Sequence, residues 1–314
     1  MGYCLPQSDK DNSWSFCPSI APAYIFVVSF GLTALVHIIQ GFWYRKFYSF
    51  VVVMGAAWQT GGFIFRILSI MHPTNSGEYQ AWFILILVAP LWINAYVYMV
   101  MGRMVYNFHP KKKIYGIKSH RFGLYFVLLD IATFLVQVYG AISASGDNIS
   151  NSTALRGIHI YMIGIGVQQA FILLFMILAI GFHRELARQP KSKRSTRVMA
   201  LLYVIYGVLL LITIRIIFRL IEYSNGLTST VPSHEAYMYI FDSTPMFIAC
   251  ALLNIVHPGA VMPGKESDLP SRKERKRRAQ RDNTDRVDGD LQYLHNPLPR
   301  FDSATGDTRF QQTV

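Results

Sequence analysis

Long apolar runs separated by short polar segments dominate the chain. Seven runs are each long enough to cross the hydrocarbon core of a bilayer, which takes about 20 helical residues. The predicted fold class is therefore all-α, a polytopic membrane bundle of seven transmembrane helices within residues 22–259. The predicted spans are Pro22–Trp43, Tyr48–Met71, Ala81–Tyr106, Arg121–Ala144, Gly157–Phe182, Val198–Glu222 and Ala236–Val256.

The distribution of Lys and Arg predicts how the bundle is oriented. Alternate non-membrane segments hold two basic residues on one side and 24 on the other. Because cytoplasmic loops carry the excess of Lys and Arg, we expect residues 1–21 to be extracellular and the C-terminus cytosolic. Two sequons, at Asn148 and Asn151, fall in a predicted outside loop and predict a glycoprotein.

The net charge of +12 is explained by this asymmetry and predicts no nucleic-acid partner. Its densest part, Arg272–Arg278, lies in residues 260–314, which we predict to be a disordered basic cytosolic tail. The tail is also suited to contact anionic lipid of the inner leaflet, at about 1 kcal/mol per basic residue near the surface.

Cys4 and Cys17 both belong to the predicted extracellular segment, where a disulfide is chemically permitted. Pairing and two free thiols both remain open at this point. Cys250 lies within a span and is expected to serve packing.

Charged residues inside the last two spans are the strongest candidates for function. Arg215, Arg219 and Glu222 are spaced four and three apart, so they form one stripe on a helix. A charge inside an apolar helix costs about 2.5–3.5 kcal/mol and is kept mainly where a partner compensates it. Asp242 on the seventh span is the predicted partner, since a short outside loop makes these helices antiparallel neighbours.

Helical rise places four polar groups from four helices at similar depth in the outer half of the membrane. They are Arg66, Gln137, Arg215 and Asp242. Such a layer indicates either a structural clasp between helices or the wall of an outward-facing cavity, and the two are compatible.

Asp130, Gln168 and Gln169 lie deeper. Asp130 is the only acid predicted near the middle of the membrane, so we expect it to be protonated or paired. One interpretation is a substrate or proton site, and the other is an interhelical hydrogen bond worth about 0.6 kcal/mol.

Nothing in the sequence predicts a metal or another cofactor. His37, His159 and His257 fall on different helices and, by position, at different depths, so no metal-ligand set is predicted. No Lys lies in any span, which excludes a retinal Schiff base.

Several short sequence motifs with fixed spacing occur along the spans. The first group comprises an Arg-x-x-x-Arg-x-x-Glu stripe, a following Glu, Tyr-x-Phe-Asp and His-Pro-Gly, at Arg215, Arg219, Glu222, Glu235, Tyr239, Phe241, Asp242 and His257–Gly259. The second comprises Ala-Pro with a downstream Tyr and Gly-Arg, Asp-x6-Gln-x2-Gly, and Gly-x3-Gln, at Ala89, Pro90, Ala95, Tyr98, Gly102, Arg103, Asp130, Gln137, Gly140, Gly164 and Gln168.

With these elements the chain resembles the fungal lipid-translocating exporters, the RTA-like family of seven-span proteins, over roughly residues 24–259. The resemblance implies a plasma-membrane or endomembrane protein that exports or translocates sphingoid-base or phospholipid-like amphipathic lipids and gives resistance to toxic lipophiles. It also implies that membrane lipids and amphipathic small molecules are its partners. The candidate substrate or cavity residues are Arg66, Asp130, Gln137, Gln168, Arg215, Arg219, Glu222, Glu235 and Asp242.

One position departs from the family pattern. Family members usually carry a Glu on the second helix where this chain has Gln59, followed by Gly62, Phe63 and Arg66. Any role of that Glu in handling substrate or protons is therefore not expected here.

The alternative function is a seven-helix receptor or sensor for a lipophilic ligand, because such receptors also have an outside N-terminus. The third span lacks the acidic residue that usually precedes its terminal Arg103, and the seventh lacks Asn-Pro-x-x-Tyr. An enzyme is not predicted, since no catalytic set is visible.

The topology can be tested by glycosylation. Glycosidase treatment should increase the protein's electrophoretic mobility, and Asn148→Gln with Asn151→Gln should abolish that shift, because only lumenal or extracellular sequons are modified. Protease cleavage of the C-terminal tail on intact cells would contradict the orientation.

Overall fold

The chain forms the predicted all-α bundle, as seen in a computed structural model. The structure describes residues 12–14, 16–144, 150–190, 195–224, 234–271 and scattered positions between 273 and 287. Two compact units are present, Met1–Asp268 and Leu269–Val314. Within the second unit the described positions between 273 and 287 are helical and exposed.

Seven helices in the described residues are long and apolar enough to span a membrane. The first six are α1 (Ile20–Trp43), α2 (Phe50–Met71), α3 (Ser76–Phe108), α4 (Ser119–Ala144), α5 (Asn151–Ala187) and α6 (Thr196–Ser224). The seventh combines α7 (Glu235–Met238), a π-helical turn (Tyr239–Ser243), α8 (Thr244–Ile255) and α9 (Pro258–Val261). The minor elements are the 3-10 turns Phe47–Ser49 and Lys265–Ser267 and the antiparallel strands β1 (Lys113–Ile114) and β2 (Ile117–Lys118).

Two helices are longer than their apolar runs predict. α3 begins at Ser76 because the Asn75 side chain accepts a hydrogen bond from the Gly77 amide, and Ser150 caps α5 in the same way. These capping residues satisfy free amides beyond the apolar run, so the helices extend past the hydrophobic boundary. α3 also remains helical through Pro90.

The bundle has a mostly apolar interior with a smaller set of buried polar side chains, and its exterior is apolar as well. α3 packs against α2, α4, α5 and α6 and is the most enclosed helix. Large apolar side chains instead cover the outward faces of the other helices, such as Ile25, Leu35, Leu135, Ile163 and Leu174. A continuous apolar exterior is unfavourable in water and is matched by hydrocarbon, so the protein is a multi-pass membrane protein.

The end of the bundle where α2, α4 and α6 finish and α3 begins is called the outer end, since the basic-residue pattern predicts it to face outside. The other is the inner end. There the buried Lys46 ammonium donates to Gly264 O at 2.7 Å and Ser267 Oγ at 2.8 Å, and pairs with Asp268 at 2.9 Å. Residues 262–268 are thereby held against the membrane bundle. The predicted boundaries of the tail and of the extracellular segment stay predictions.

The seventh span changes helix type near its outer end. Pro245 has no amide hydrogen to continue the α-helical ladder, and the π-helical turn lies immediately before it. The Thr244 hydroxyl donates to Tyr239 O at 2.8 Å, so a side chain satisfies a carbonyl in the wider turn. This turn contains both Tyr239 and Asp242.

α4 and α5 approach so closely that only glycine fits at their crossing. A Cβ added to Gly157 would lie 2.6 Å from Ala144 N and 2.8 Å from Gly140 O, and a Cβ on Gly140 would overlap the backbone of Tyr161. Small residues at such crossings allow backbones to pack directly in membranes.

Gly157→Ala should therefore destabilise the bundle by about 1–3 kcal/mol, the usual cost of overpacking. The measurement is thermal unfolding of the detergent-purified protein. Gly166→Ala is the matched control on the same helix, because a Cβ there meets nothing within 4 Å and alanine favours helix. Equal melting temperatures for the two variants would contradict the close approach.

Candidate functional site

Asp242 binds both arginines of the α6 stripe. Its Oδ2 accepts a hydrogen bond from Arg219 Nη2, and its Oδ1 lies 2.5 Å from Arg215 Nε in an ion pair. Arg215 also donates from Nη2 to Ile86 O on α3, at 3.3 Å. All three charged side chains are buried, so α3, α6 and the seventh span are joined by one polar contact inside an apolar bundle.

Arg219 completes the arrangement by donating from Nη1 to Glu222 Oε2 at 3.0 Å. The clasp is defined as Arg215, Arg219, Glu222 and Asp242. It contains two positive and two negative charges, so its net charge is zero. A buried ion pair is tolerated mainly where further hydrogen bonds offset desolvation, and the bonds from Arg215 to Ile86 O and from Arg219 to Glu222 serve this purpose. Arg219 Nε has no hydrogen-bond partner within the described residues.

Arg66 lies in a second outer-end site. It donates from Nη2 to Glu235 Oε1 at 2.8 Å and from Nε to Tyr239 OH at 2.9 Å. Its guanidinium carbon lies 4.6 Å from the Trp82 ring centre and 4.8 Å from that of Trp14. The cation is thus held by one carboxylate and by aromatic faces, which attract it through their quadrupoles.

The same site fixes the segment before α1. Glu235 Oε2 accepts a hydrogen bond from the Ser19 amide at 2.7 Å, and Trp14 Nε1 donates to Ser69 O at 3.0 Å. Trp14 and Ser19 therefore lie at the outer end beside Arg66, and Trp14 forms part of the aromatic surroundings of the arginine.

A cavity of about 360 Å³ opens among α3, α4, α5 and α6 at the outer end. Its lining is mostly apolar, and its polar groups come chiefly from tyrosines. Exposed Ile84 and Ile142 belong to the lining, so the cavity reaches the apolar exterior between α3 and α4. The lining residues are Tyr79, Gln80, Phe83, Ile84, Leu87, Val138, Ala141, Ile142, Ala144, Ile158, Tyr161 and Tyr223.

Three tyrosines connect this cavity with the clasp. Tyr161 and Tyr223 pack edge to face at 5.1 Å between ring centres, and Tyr79 lines the opposite α3 wall. Arg219 and Glu222 lie within electrostatic range of all three rings. A ligand in the cavity would therefore contact apolar side chains on one side and, on the other, the three tyrosine rings that lie near the charges of the clasp.

Two further groups of polar residues, one of two residues and one of three, join neighbouring helices. Gln137 Nε2 donates to Gln168 Oε1 at 2.9 Å, which joins α4 to α5. Asp130 Oδ2 accepts from Asn94 Nδ2 at 2.9 Å and from Tyr98 OH at 3.1 Å, which joins α4 to α3.

The structure thus brings together Arg215, Arg219, Glu222 and Asp242, and groups Arg66 with Glu235 instead of with Asp242. It places Gln137 with Gln168 and leaves Asp130 at a third location. The layer inferred from helical rise is accordingly divided, because similar depth does not determine which face a side chain occupies.

Sequence reasoning missed Asn94, Trp14, Trp82 and Tyr161 as partners. Asn94 and Tyr98 are spaced four apart on α3, which is a detectable signal for one polar face. Trp14 precedes the first apolar run, and nothing in the local pattern indicates that it covers an arginine on another helix. Gln59, at the position of the family's Glu, is buried and its Oε1 has no hydrogen-bond partner within the described residues.

The depths assigned to the histidines need correction. His37 and His257 were expected at different depths, but their ring centres lie 6.4 Å apart, because the chain turns into α9 after α8 and directs His257 toward α1. His37 bonds Cys250 O and His257 bonds Ser49 Oγ, each at 3.2 Å. No group of three His, Cys, Asp or Glu side chains suited to a metal occurs in the described part of the chain.

Two predicted features fall partly outside the described residues. Cys17 is disulfide-bonded, but Cys4 lies outside them, so the identity of its partner stays a prediction. Asn148 also lies outside them, and Asn151 is the first residue of α5, so glycosylation stays a prediction as well.

Comparison with known proteins gives consistent matches. Residues 52–265 match the protein family described as RTA1 like protein. The chain is 38% identical over 295 residues to the probable lipid transporter atnI of Emericella nidulans, covering 87% of this chain and 77% of that protein. It is 30% identical over 210 residues to the protein RTA1 of Saccharomyces cerevisiae, covering 66% and 64%.

A more distant relative is the sphingoid long-chain base transporter RSB1 of Saccharomyces cerevisiae strain JAY291. The identity is 24% over 319 residues, covering 86% of this chain and 81% of that protein. No solved structure matches the chain.

Neutralising Asp242 should be the most damaging single change in the clasp. Asp242→Asn should cost about 3–5 kcal/mol of stability, because two buried guanidiniums lose their shared carboxylate. The double variant with Arg219→Gln should cost less than the sum of the two single changes, as contacting charges do. Thermal unfolding in detergent measures all three.

Arg188→Gln is the surface control. Arg188 is 79% exposed beside Glu185, and such pairs contribute only about 0–1 kcal/mol. Additive losses for the Arg219 and Asp242 changes would show that the contact does not stabilise the bundle.

Proposed function

The chain belongs to the RTA1-like family, and we propose from this membership and from its outer-end cavity that it exports or translocates amphipathic lipids across its membrane. Sphingoid bases and phospholipid-like molecules are the proposed substrate class, together with toxic lipophiles of similar shape. The relatives' transporter names are the ground for proposing transport and no enzymatic reaction.

The cavity is the single observation that carries this proposal. An amphipathic lipid needs an apolar surface for its chain and a polar surface for its head group, and both occur here within one space. Its volume of about 360 Å³ lies at the low end of ordinary ligand pockets. The edge at Ile84 and Ile142 reaches the apolar exterior, which gives a chain a route in from the bilayer.

The polar boundary explains how a head group could be selected. Tyr79, Tyr161 and Tyr223 offer aromatic faces and hydroxyl groups, and the clasp lies next to them. Cationic head groups are attracted to aromatic faces, while the tyrosine hydroxyls can hydrogen-bond to polar head groups, since the arginines are already paired within the clasp. The clasp then has two roles in the proposal: it joins α6 to the seventh span, and it sets the electrostatic potential at the cavity.

The orientation, compartment and tail contacts belong to the same proposal. With the N-terminus outside, the cavity opens in the outer half of the membrane, where an exported lipid would leave. The plasma membrane is the proposed location, with an endomembrane as the alternative. The basic tail would rest on anionic lipid of the inner leaflet.

Filling the cavity should block transport. Ala141→Phe adds a ring to the α4 wall, so we expect the efflux rate of a fluorescent long-chain base from loaded cells to fall severalfold toward that of cells lacking the protein. Ala132→Phe is the matched control, since Ala132 lies on the same helix but faces outward. Membrane levels of each variant are compared by immunoblot.

Equal efflux with and without the wild-type protein would overturn the transport proposal. If, in addition, the ligand caused recruitment of a cytosolic transducer, a receptor would take its place. Equal inhibition by both phenylalanine variants would show that the cavity is not the site.

A further inference from the structure

Asp130 differs from the described carboxylates of the two outer-end charge sites in having no cationic partner. Asp242, Glu222 and Glu235 each pair with arginine, whereas no Lys, Arg or His of the described residues lies within ion-pair distance of Asp130. Its side chain is 2% exposed and lies near the middle of α4. An ionised carboxylate in such a place carries a desolvation cost of several kcal/mol.

The hydrogen bonds around Asp130 leave two oxygens unsatisfied. Asn94 Nδ2 and Tyr98 OH both donate to Oδ2, while Asp130 Oδ1 and Asn94 Oδ1 have no partner among the described residues. Both remaining atoms are acceptors. One proton on Asp130 Oδ1 would turn it into a donor and allow the two groups to pair as a carboxylic acid and a carboxamide do.

Few titratable side chains surround Asp130. From α3 the titratable group in contact is Tyr98, and on α4 itself the nearest is Tyr125, which is exposed. The α5 stretch opposite, residues 162–182, contains no titratable side chain. If Asp130 changes its charge, no neighbouring side chain among the described residues can therefore gain or lose a proton to compensate.

A row of polar positions leads from Asp130 toward the outer cavity. Asp130, Thr133 and Gln137 are all buried on one face of α4, and Gln137 lies about 10 Å from Asp130 along the helix. Gln137 bonds Gln168, and the next residue, Val138, lines the cavity. The row ends one residue from the lining of the space where the lipid is proposed to bind.

We propose that Asp130 is an exchangeable proton-binding site that couples lipid translocation to proton movement. The carboxylic acid releases its proton to water on the outer side and regains one from water on the inner side in a later step of the cycle. One proton then crosses the membrane per cycle, and no other bond is made or broken. This role rests on the proposed lipid transport.

Infrared spectroscopy of the purified full-length protein tests the proton without any transport. The carbonyl band of a protonated carboxylic acid should be present at neutral pH and absent in Asp130→Asn. Asn94→Leu, which removes the amide partner but keeps the acid, should shift this band instead of removing it. Glu185→Gln, a surface carboxylate control, should leave it unchanged.

Coupling is measured with the protein in phosphatidylcholine vesicles that carry a fluorescent short-chain phospholipid. A transmembrane pH difference should change the wild-type translocation rate severalfold. The response should be lost in Asp130→Asn and retained in Glu185→Gln.

The outcomes separate the two proposals. No band that depends on Asp130 or Asn94 would overturn the proton site, as would a full pH response in Asp130→Asn. A response to a sodium gradient in place of a pH gradient would assign the free oxygens to a metal cation and also overturn it. Translocation absent from the wild type with the band present would overturn lipid transport and its coupling, while the buried proton would stand.

Discussion

The carboxylate of Asp242 is the constraint on which the bundle depends. Two guanidiniums on α6 are too costly to leave in hydrocarbon alone, so the seventh span must present its carboxylate at one depth and on one side. Ion pairs of this kind contribute little net stability compared with well-packed apolar groups, but they specify which helices meet and in which register. The helix arrangement near the outer end follows from that requirement.

Buried acidic side chains are stabilised differently in the outer and middle parts of the membrane region. At the outer end each described acid of the two charge sites has an arginine, so charges cancel locally and the geometry is fixed. In the middle, Asp130 has only neutral donors, so its charge can change without breaking an ion pair. A fixed electrostatic wall beside a cavity and a changeable carboxyl below it are complementary parts of a transporter.

The sequence predicted the seven-helix fold because the length of an apolar run is a strong local signal. It also predicted the pairing of α6 with the seventh span, since Arg215 and Arg219 required an acid and Asp242 was available. It could not assign Arg66, because its partner Glu235 lies at a helix end and its Trp14 contact comes from a segment without periodicity. Gln137 and Gln168 were placed at different depths because helix tilt and crossing are properties of packing and not of sequence spacing.

The π-helical turn has a consequence for how the seventh span can vary. Tyr239 and Asp242 are three residues apart, and in an α-helix they would share one face. The wider turn directs them to different partners, Arg66 on α2 and the arginines on α6. Loss of a single residue from this turn would restore regular α-helix and rotate one of the two side chains away from its partner. Length in this short stretch is therefore under stronger constraint than side-chain identity on the lipid-facing side, where one apolar residue can replace another.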